Sequence, residues 1–366
     1  MNKFSKMFSK FNTSKIKLSV KEFRIFQNAF YWFLAPLIVI FIGLICGTVY
    51  ASSGNEYDGF ANVGVDFKGG TVLTVEVNSG FDMIGDNYST NEDIIRDVVM
   101  ANGASPTQGQ TRGTNAIIIR YPNSIDGVSY NAKDKTREMI SINETIKNEV
   151  RSAFITKYGD SADVSVSAEL INATASQDLI NKAILSVVLA LLVILIYIVV
   201  RFDLFSGIAA IAALLHDVLI VFAGVIIFRI PINSSFIAAI ITVVAYSINN
   251  TIIVFDRVRD FTKPYKNKKY KIDINTAVNS SVKETLNRSI FTTITTLITI
   301  TALASVGIQA LSEFALPIIF GLLAGAYSSI LIAPSIWGYM MKAQQKHLRK
   351  NKGDKTPAQF FKKKNA

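Results

Sequence analysis

The sequence predicts a polytopic α-helical membrane protein with six transmembrane helices and a small α+β extracytoplasmic domain between helices 1 and 2. Three observations predict it. Of 366 residues, 50% are apolar and 18% charged, with a mean hydropathy of +0.34, whereas a soluble domain carries roughly a quarter charged residues. Six segments stay apolar over the ~20 residues that cross a bilayer. Basic and acidic residues also segregate along the chain, as the sidedness of a membrane demands. The net charge of +11 does not indicate nucleic acid, because its basic residues sit between long apolar runs and not on the face of a domain. One cysteine and two histidines exclude a disulfide framework within the chain and leave little for a soft-metal site.

Residues 1–28 form a basic arm with Lys3, Lys6, Lys10, Lys15, Lys17, Lys21 and Arg24 against Glu22. The first span, residues 29–50, is charge-free; it is too long and too far from the start for a typical cleaved leader, and reads as a retained helix. Residues 51–178 hold 10 basic and 18 acidic residues, a net of −8. Apolar and polar residues alternate there over Thr71–Val77, Ala116–Tyr121 and Ala162–Ala168, the period of half-buried strands. Helical patterns occupy Asn91–Ala101 and Lys133–Tyr158, and Asn102–Gly113 reads as turn. Residues 179–341 supply the remaining spans over Ala183–Val200, Leu204–Phe228, Pro231–Phe255, Ser289–Ser312 and Phe314–Met341, with a basic loop at residues 256–288. A basic tail, residues 342–366, follows. Six spans place the arm, the loop and the tail on one side, the cytoplasmic one, and the acidic domain on the other.

An ionisable group inside a bilayer costs about 2.5–3.5 kcal/mol, so each one needs a reason. Asp217 is the single charge in the third run, next to His216. It reads either as a proton or cation site or as a neutral carboxyl that hydrogen-bonds a neighbouring helix. The fourth span ends in Ser247, Asn250 and Thr251, on one helix face by spacing. Thr292, Thr295, Thr296 and Thr299 repeat the pattern on the fifth, beyond Arg288. Such residues also join membrane helices for about 1 kcal/mol each, so the threonines alone fit plain packing. Function would require Asp217, Asn250, Arg288, Ser247 and Thr292 to line one polar path. Gly43 with Gly47 and Gly321 with Gly325 fit GxxxG packing, and Arg257 and Arg259 fit orienting charges at a span end. The sequence contains no nucleotide-binding loop, nucleophile elbow or zinc-protease motif. No catalytic residue, metal ligand or cofactor is therefore assigned.

Gly64-Val65-Asp66-Phe67-Lys68-Gly69-Gly70-Thr71, just beyond the first span, closely resembles the G-V-D-F-x-G-G-T signature of the SecF branch of the SecD/SecF family, within the resistance–nodulation–division superfamily. Further similar stretches follow in family order: Arg201-Phe202, Leu215-His216-Asp217-Val218, Tyr246 to Thr251, Val254-Phe255-Asp256-Arg257-Val258-Arg259, Thr285 to Ser289, and Tyr327-Ser328-Ser329. The resemblance implies a six-span half that pairs with SecD. The pair would use a proton or sodium gradient to promote late export of preproteins emerging from the SecYEG translocon, in the lipid of a bacterial cytoplasmic membrane. A small-solute or lipid exporter half of the same superfamily is the alternative. Two stretches depart from the family pattern. Many members have Ser-x-Asn-Asp where this chain has Ser247-Ile248-Asn249-Asn250, and an amide carries no proton, although its carbonyl oxygen accepts hydrogen bonds or ligates a cation. The usual V-G-P before the second span is replaced by residues within Val164–Ala175.

Overall fold

The structure is a computed structural model that describes residues 24–52, 59–84, 87–106, 110–112, 115–125, 128–129, 135–159, 162–171, 173–265, 272–306 and 309–351. Most of the basic arm and the Lys362–Lys364 end of the tail lie outside them. Its helices are α1 (Ala29–Ser52), α2 (Tyr88–Ala101), α3 (Thr136–Tyr158), α4 (Ala173–Arg201), α5 (Leu204–Ile227), α6 (Ser234–Thr262), α7 (Ile274–Ala304), α8 (Gln309–Tyr327) and α9 (Ala333–Asn351). A π-helical turn, Ser328–Ile332, joins α8 to α9, and a single helical turn spans Val65–Lys68.

Between α1 and α4 lie β1 (Gly70–Ser79), β2 (Gln110–Arg112), β3 (Ala116–Pro122) and β6 (Asp163–Ile171), an antiparallel sheet in the order β2-β3-β1-β6. The short β4 (Ser124–Ile125) and β5 (Val128–Ser129) pair separately. Alternation does what the period of two requires: Leu73, Val75 and Val77 of β1 and Ile117, Ile119 and Tyr121 of β3 are buried in one cluster with Ile95 and Val99 of α2 and Met139, Ile146, Val150 and Phe154 of α3. Gln110–Arg112 lies inside a stretch whose Gly and polar content reads as turn. It pairs as a three-residue edge strand with Ile118, Ile117 and Ala116, too short to show a period of its own.

A buried polar chain crosses this core. Tyr121 Oη donates to Asn143 Oδ1 (2.9 Å), Asn143 Nδ2 donates to Thr71 Oγ1 (2.9 Å), and Thr71 Oγ1 donates to Asn123 Oδ1 (3.2 Å). Burial pushes the Tyr121 phenol above its usual range. Thr71, fully buried, both donates and accepts. Thr71→Val keeps the shape and strands both neighbours, so the full-length protein should lose about 1–3 kcal/mol, read as an earlier thermal transition in detergent.

Among the described residues, five helical segments are long and apolar enough to cross a membrane: Ala29–Ser52, Gln177–Arg201, Leu204–Ile227, Ser234–Tyr265 and Leu311–Leu348. The sequence led us to expect a sixth over Ser289–Ser312. The helix there, α7, ends at Ala304, which confines its charge-free part to Ser289–Ala304, and the threonines within it lower its hydropathy. Most of the expected loop at residues 256–288 is helical: α6 continues to Thr262 and α7 begins at Ile274. The Asp273 carboxylate accepts from the Asn275 amide (3.1 Å) and caps α7. In the helical block α8 packs on α5, α6 and α7. The glycine pairs make the close contacts their spacing suggests. A Cβ on Gly321 would lie 2.1 Å from Val243 Cγ2, and one on Gly325 would lie 2.9 Å from Ser247 Cβ.

Candidate functional site

Asp217, 1% exposed, sits in the third quarter of α5, where three chain segments meet. Ser247 of α6 donates a short hydrogen bond to Asp217 Oδ2. Ser328, the first residue of the π turn, donates to the same oxygen at 2.9 Å. His216 Nδ1 lies 2.9 Å from Oδ1, and its ring stacks on Tyr327 with centroids 6.2 Å apart. The carboxyl group is thus held by two hydroxyls and an imidazole, and no Lys or Arg pairs with it among the described residues. This arrangement is chemically versatile. Oδ1 and Nδ1 are placed to share one proton, and the two serines can turn their hydroxyl hydrogens away to accept if the carboxyl becomes a donor. The π turn matters here because it adds a residue to the helical repeat, the irregularity often found at functional sites.

The close approach follows from the sequence. Gly325, one turn before Ser328, has no side chain to hold α6 away, so Ser247 comes near enough to reach Asp217.

Next to this centre is a second polar group. Asn250, 1% exposed, donates from Nδ2 to Thr293 Oγ1 at 3.5 Å. Its Oδ1, the Thr251 hydroxyl, the Ser289 hydroxyl and His216 Nε2 are buried without a hydrogen-bond partner. Buried polar atoms are rarely left bare, and these four, without a partner among the described residues, lie on α5, α6 and α7.

The remaining predicted residues lie elsewhere. Arg288 is exposed and lines a groove of about 470 Å³ with Arg201, Asp256, Arg257, Glu284 and Asn249. There Arg201 pairs with Asp256 (3.6 Å) and Arg257 with Glu284. The structure therefore does not make Arg288 a charge partner of Asp217. Thr292, Thr295 and Thr299 return their hydroxyls to carbonyls of α7 itself, and the buried threonines of α7 are Thr285 and Thr293. The predicted stripe was one residue off the buried face.

The signature residues form a splice at the opposite end. Gly64 N–H donates to Ile232 O (2.8 Å), and Ile232 N–H to Asn62 O (2.8 Å). Asp66 Oδ2 accepts from both Ser234 N–H (3.0 Å) and Ser234 Oγ (2.8 Å), and thereby caps α6. Asn233 accepts from Phe236 N–H (3.1 Å) and donates to Glu313 Oε2 of α8 (2.8 Å). Phe67 is half-buried in the turn that packs on α4. Gly69 has φ 80°, open to glycine, and a Cβ on Gly70 would lie 2.7 Å from Tyr121 O. Glu313 and Asn233 escaped the sequence reading, the first because it falls between two apolar runs, and Ser328 entered it only within a motif.

The family model described as "Protein export membrane protein SecD/SecF, C-terminal" matches residues 151–343, a stretch that holds Asp217 and all its partners. The chain belongs to the SecD/SecF family. It is 30% identical over 275 residues to the protein translocase subunit SecF of Rickettsia akari, covering 75% of this chain and 80% of that one. It is 33% identical over 276 residues to the protein translocase subunit SecDF of Bacillus subtilis, spanning only 34% of that longer protein. Among solved structures, SecDF from Thermus thermophilus, described as a translocon-associated membrane protein, superposes with a TM-score of 0.62 at 25% identity, covering 87% of this chain and 38% of the other. This SecD/SecF chain thus spans about a third of the fused relatives and most of a separate SecF.

Proposed function

We propose that this chain is the SecF-type auxiliary subunit of a Sec protein translocase, working with a SecD-type half to promote late preprotein export by use of the proton or sodium gradient. The observation that carries it is the buried Asp217, held by hydroxyls from two other segments in a chain of the SecD/SecF family. A carboxyl that exchanges hydrogen-bond roles with its neighbours, beside buried oxygens without partners, supports passage of a proton or a small cation. Ser247, Asn250 and Thr251 belong to this centre. Arg288 belongs to the exposed face of α7, suited to the partner half, and Thr292 is half-buried beside α6, where its carbonyl accepts from Tyr246 Oη.

In this reading α7 is the fifth of six spans, completed by contact with that half. The helical block at residues 179–341 and the first span at 29–50 lie in the cytoplasmic membrane of a bacterium. The sheet domain at 51–178 lies outside, and both basic termini lie inside, as their charge requires. The SecYEG channel and the emerging preprotein would meet the outer domain. Depletion of the chain should slow maturation of secreted precursors in pulse-chase labelling. Normal maturation together with altered drug or lipid sensitivity would instead favour a small-solute exporter.

A further inference from the structure

A second cavity, of about 440 Å³, opens where the ends of α4, α6 and α9 converge. Its walls are apolar, with Val200, Phe202, Val258, Ile272, Trp337 and Met341 among them, and its rim carries Arg201, Arg259 and Lys263. Arg201 shares Asp256 at 3.6 Å. Arg259 and Lys263 have no carboxylate partner among the described residues. The acid on the rim, Asp203, already accepts the Ser206 hydroxyl. Trp337 is 1% exposed, and its Nε1–H is buried with no acceptor.

Depth decides what would fill such a cavity. Val200 is the last apolar residue of the α4 span and is 82% exposed on its outer side, and Arg201 is the first charge after it. Val258 and Arg259 lie one turn past the apolar run of α6, which ends at Phe255. The cations therefore stand at the level of headgroups and the apolar wall at the level of the first acyl carbons, beside the exposed Val200. A free anion would leave the wall unused. A zwitterionic lipid would bring its own cation to a rim that already has three.

From this we propose that the cavity is a binding site for an anionic phospholipid, whose phosphate meets Arg259 and Lys263, with Arg201 beside them, and whose upper acyl chain lies along Val200 and Phe202, above the buried Trp337. Basic pockets between membrane helices take such headgroups. The site stands apart from the Asp217 centre and does not depend on the export reading.

The chain has two tryptophans, so Trp32→Phe leaves Trp337 as the single reporter. In the full-length protein in neutral detergent, phosphatidylglycerol with brominated acyl chains should quench Trp337 at a several-fold lower mole fraction than brominated phosphatidylcholine. Arg259→Gln and Lys263→Gln should each reduce that preference about fivefold, and Lys346→Gln, an exposed cation outside the cavity, should leave it unchanged. Inorganic phosphate should not relieve the quenching, whereas unlabelled phosphatidylglycerol should. Equal quenching of the parent by the two lipids overturns the proposal, and this arm needs no further variant. A preference retained by the Arg259→Gln/Lys263→Gln protein, with Trp337 emission in detergent unchanged, assigns it to general surface charge and also overturns it. Relief by phosphate as effective as by lipid reassigns the cavity to a soluble anion.

Discussion

Asp217→Asn should reduce export stimulation to the level of cells lacking the chain, while the purified protein unfolds within about 1 kcal/mol of the parent. The two outcomes belong together because the substitution preserves the contacts and removes only the charge and the exchangeable proton. The Asn carbonyl oxygen accepts from Ser247 and Ser328 as Oδ2 does now, and its amide can donate to His216 Nδ1. Asp217→Ala is the wrong test. It strands the Ser247 hydroxyl and a ring nitrogen in the interior, at about 1–3 kcal/mol for each group left bare, while Ser328 keeps Gly325 O as acceptor, and it confounds folding with function. Ser328→Ala, which removes one of the donors, should give an intermediate export defect. Asn250→Asp should do less than Asp217→Asn, since position 250 carries no titratable proton now. The rival account, a carboxyl that merely joins helices, predicts near-normal export in the Asn variant, because the junction survives. Pulse-chase labelling beside a thermal unfolding curve in detergent separates the two.

How much of this could be read from the sequence depends on whether a signal is periodic or geometric. Asp217 was legible because a charge in an otherwise charge-free run is costly wherever the helix turns. The strands Gly70–Ser79 and Ala116–Pro122 were legible because a sheet with one buried face must alternate, and β2, with three residues, had no period to show. Ser328 appeared only as part of a motif. It reaches Asp217 through a π turn, which breaks the 3.6-residue repeat on which spacing arguments rest. The buried polar face of α7 is a different case. Ser281, Thr285, Ser289 and Thr293 are all buried and recur every four residues. Starting the span at Ser289 cut that series in half and left Thr292, Thr295, Thr296 and Thr299, half-buried or exposed, as the visible stripe. The signal was present, and the helix boundary hid it. The role of Asp66 was illegible for another reason: its partner Ser234 lies 168 residues away, and no local pattern links the two.

That distant pair carries the second large effect. Asp66→Ala should remove two hydrogen bonds to one ionised acceptor and uncap α6, at about 2 kcal/mol. The sheet core contains none of those atoms and should remain folded. Amide exchange of the full-length protein should therefore accelerate over residues 234–237 and remain slow in β1 and β3. Unchanged exchange at 234–237 would mean that Asn233 caps α6 unaided. Gly70→Val belongs to another class. Its Cβ would press on the Tyr121 carbonyl and on Val65 at 2.7 Å, next to the buried Thr71 network, and loss of folded protein is the expected result.

The reason to expect a functional effect from Asp66 is mechanical. From Ser234 to Ser247 the helix runs about 20 Å at ~1.5 Å per residue, one rigid rod with Asp66 at one end and Asp217 at the other. A change in hydrogen bonding at Asp217 that moves Ser247 would reach the Asp66 turn, and through it β1, at the rod's capped end. Export by Asp66→Ala should accordingly fall towards the level of Asp217→Asn, and the double variant should be no worse than the more severe single one. Independent losses that multiply in the double variant would show that the capped end and the middle of α6 act separately.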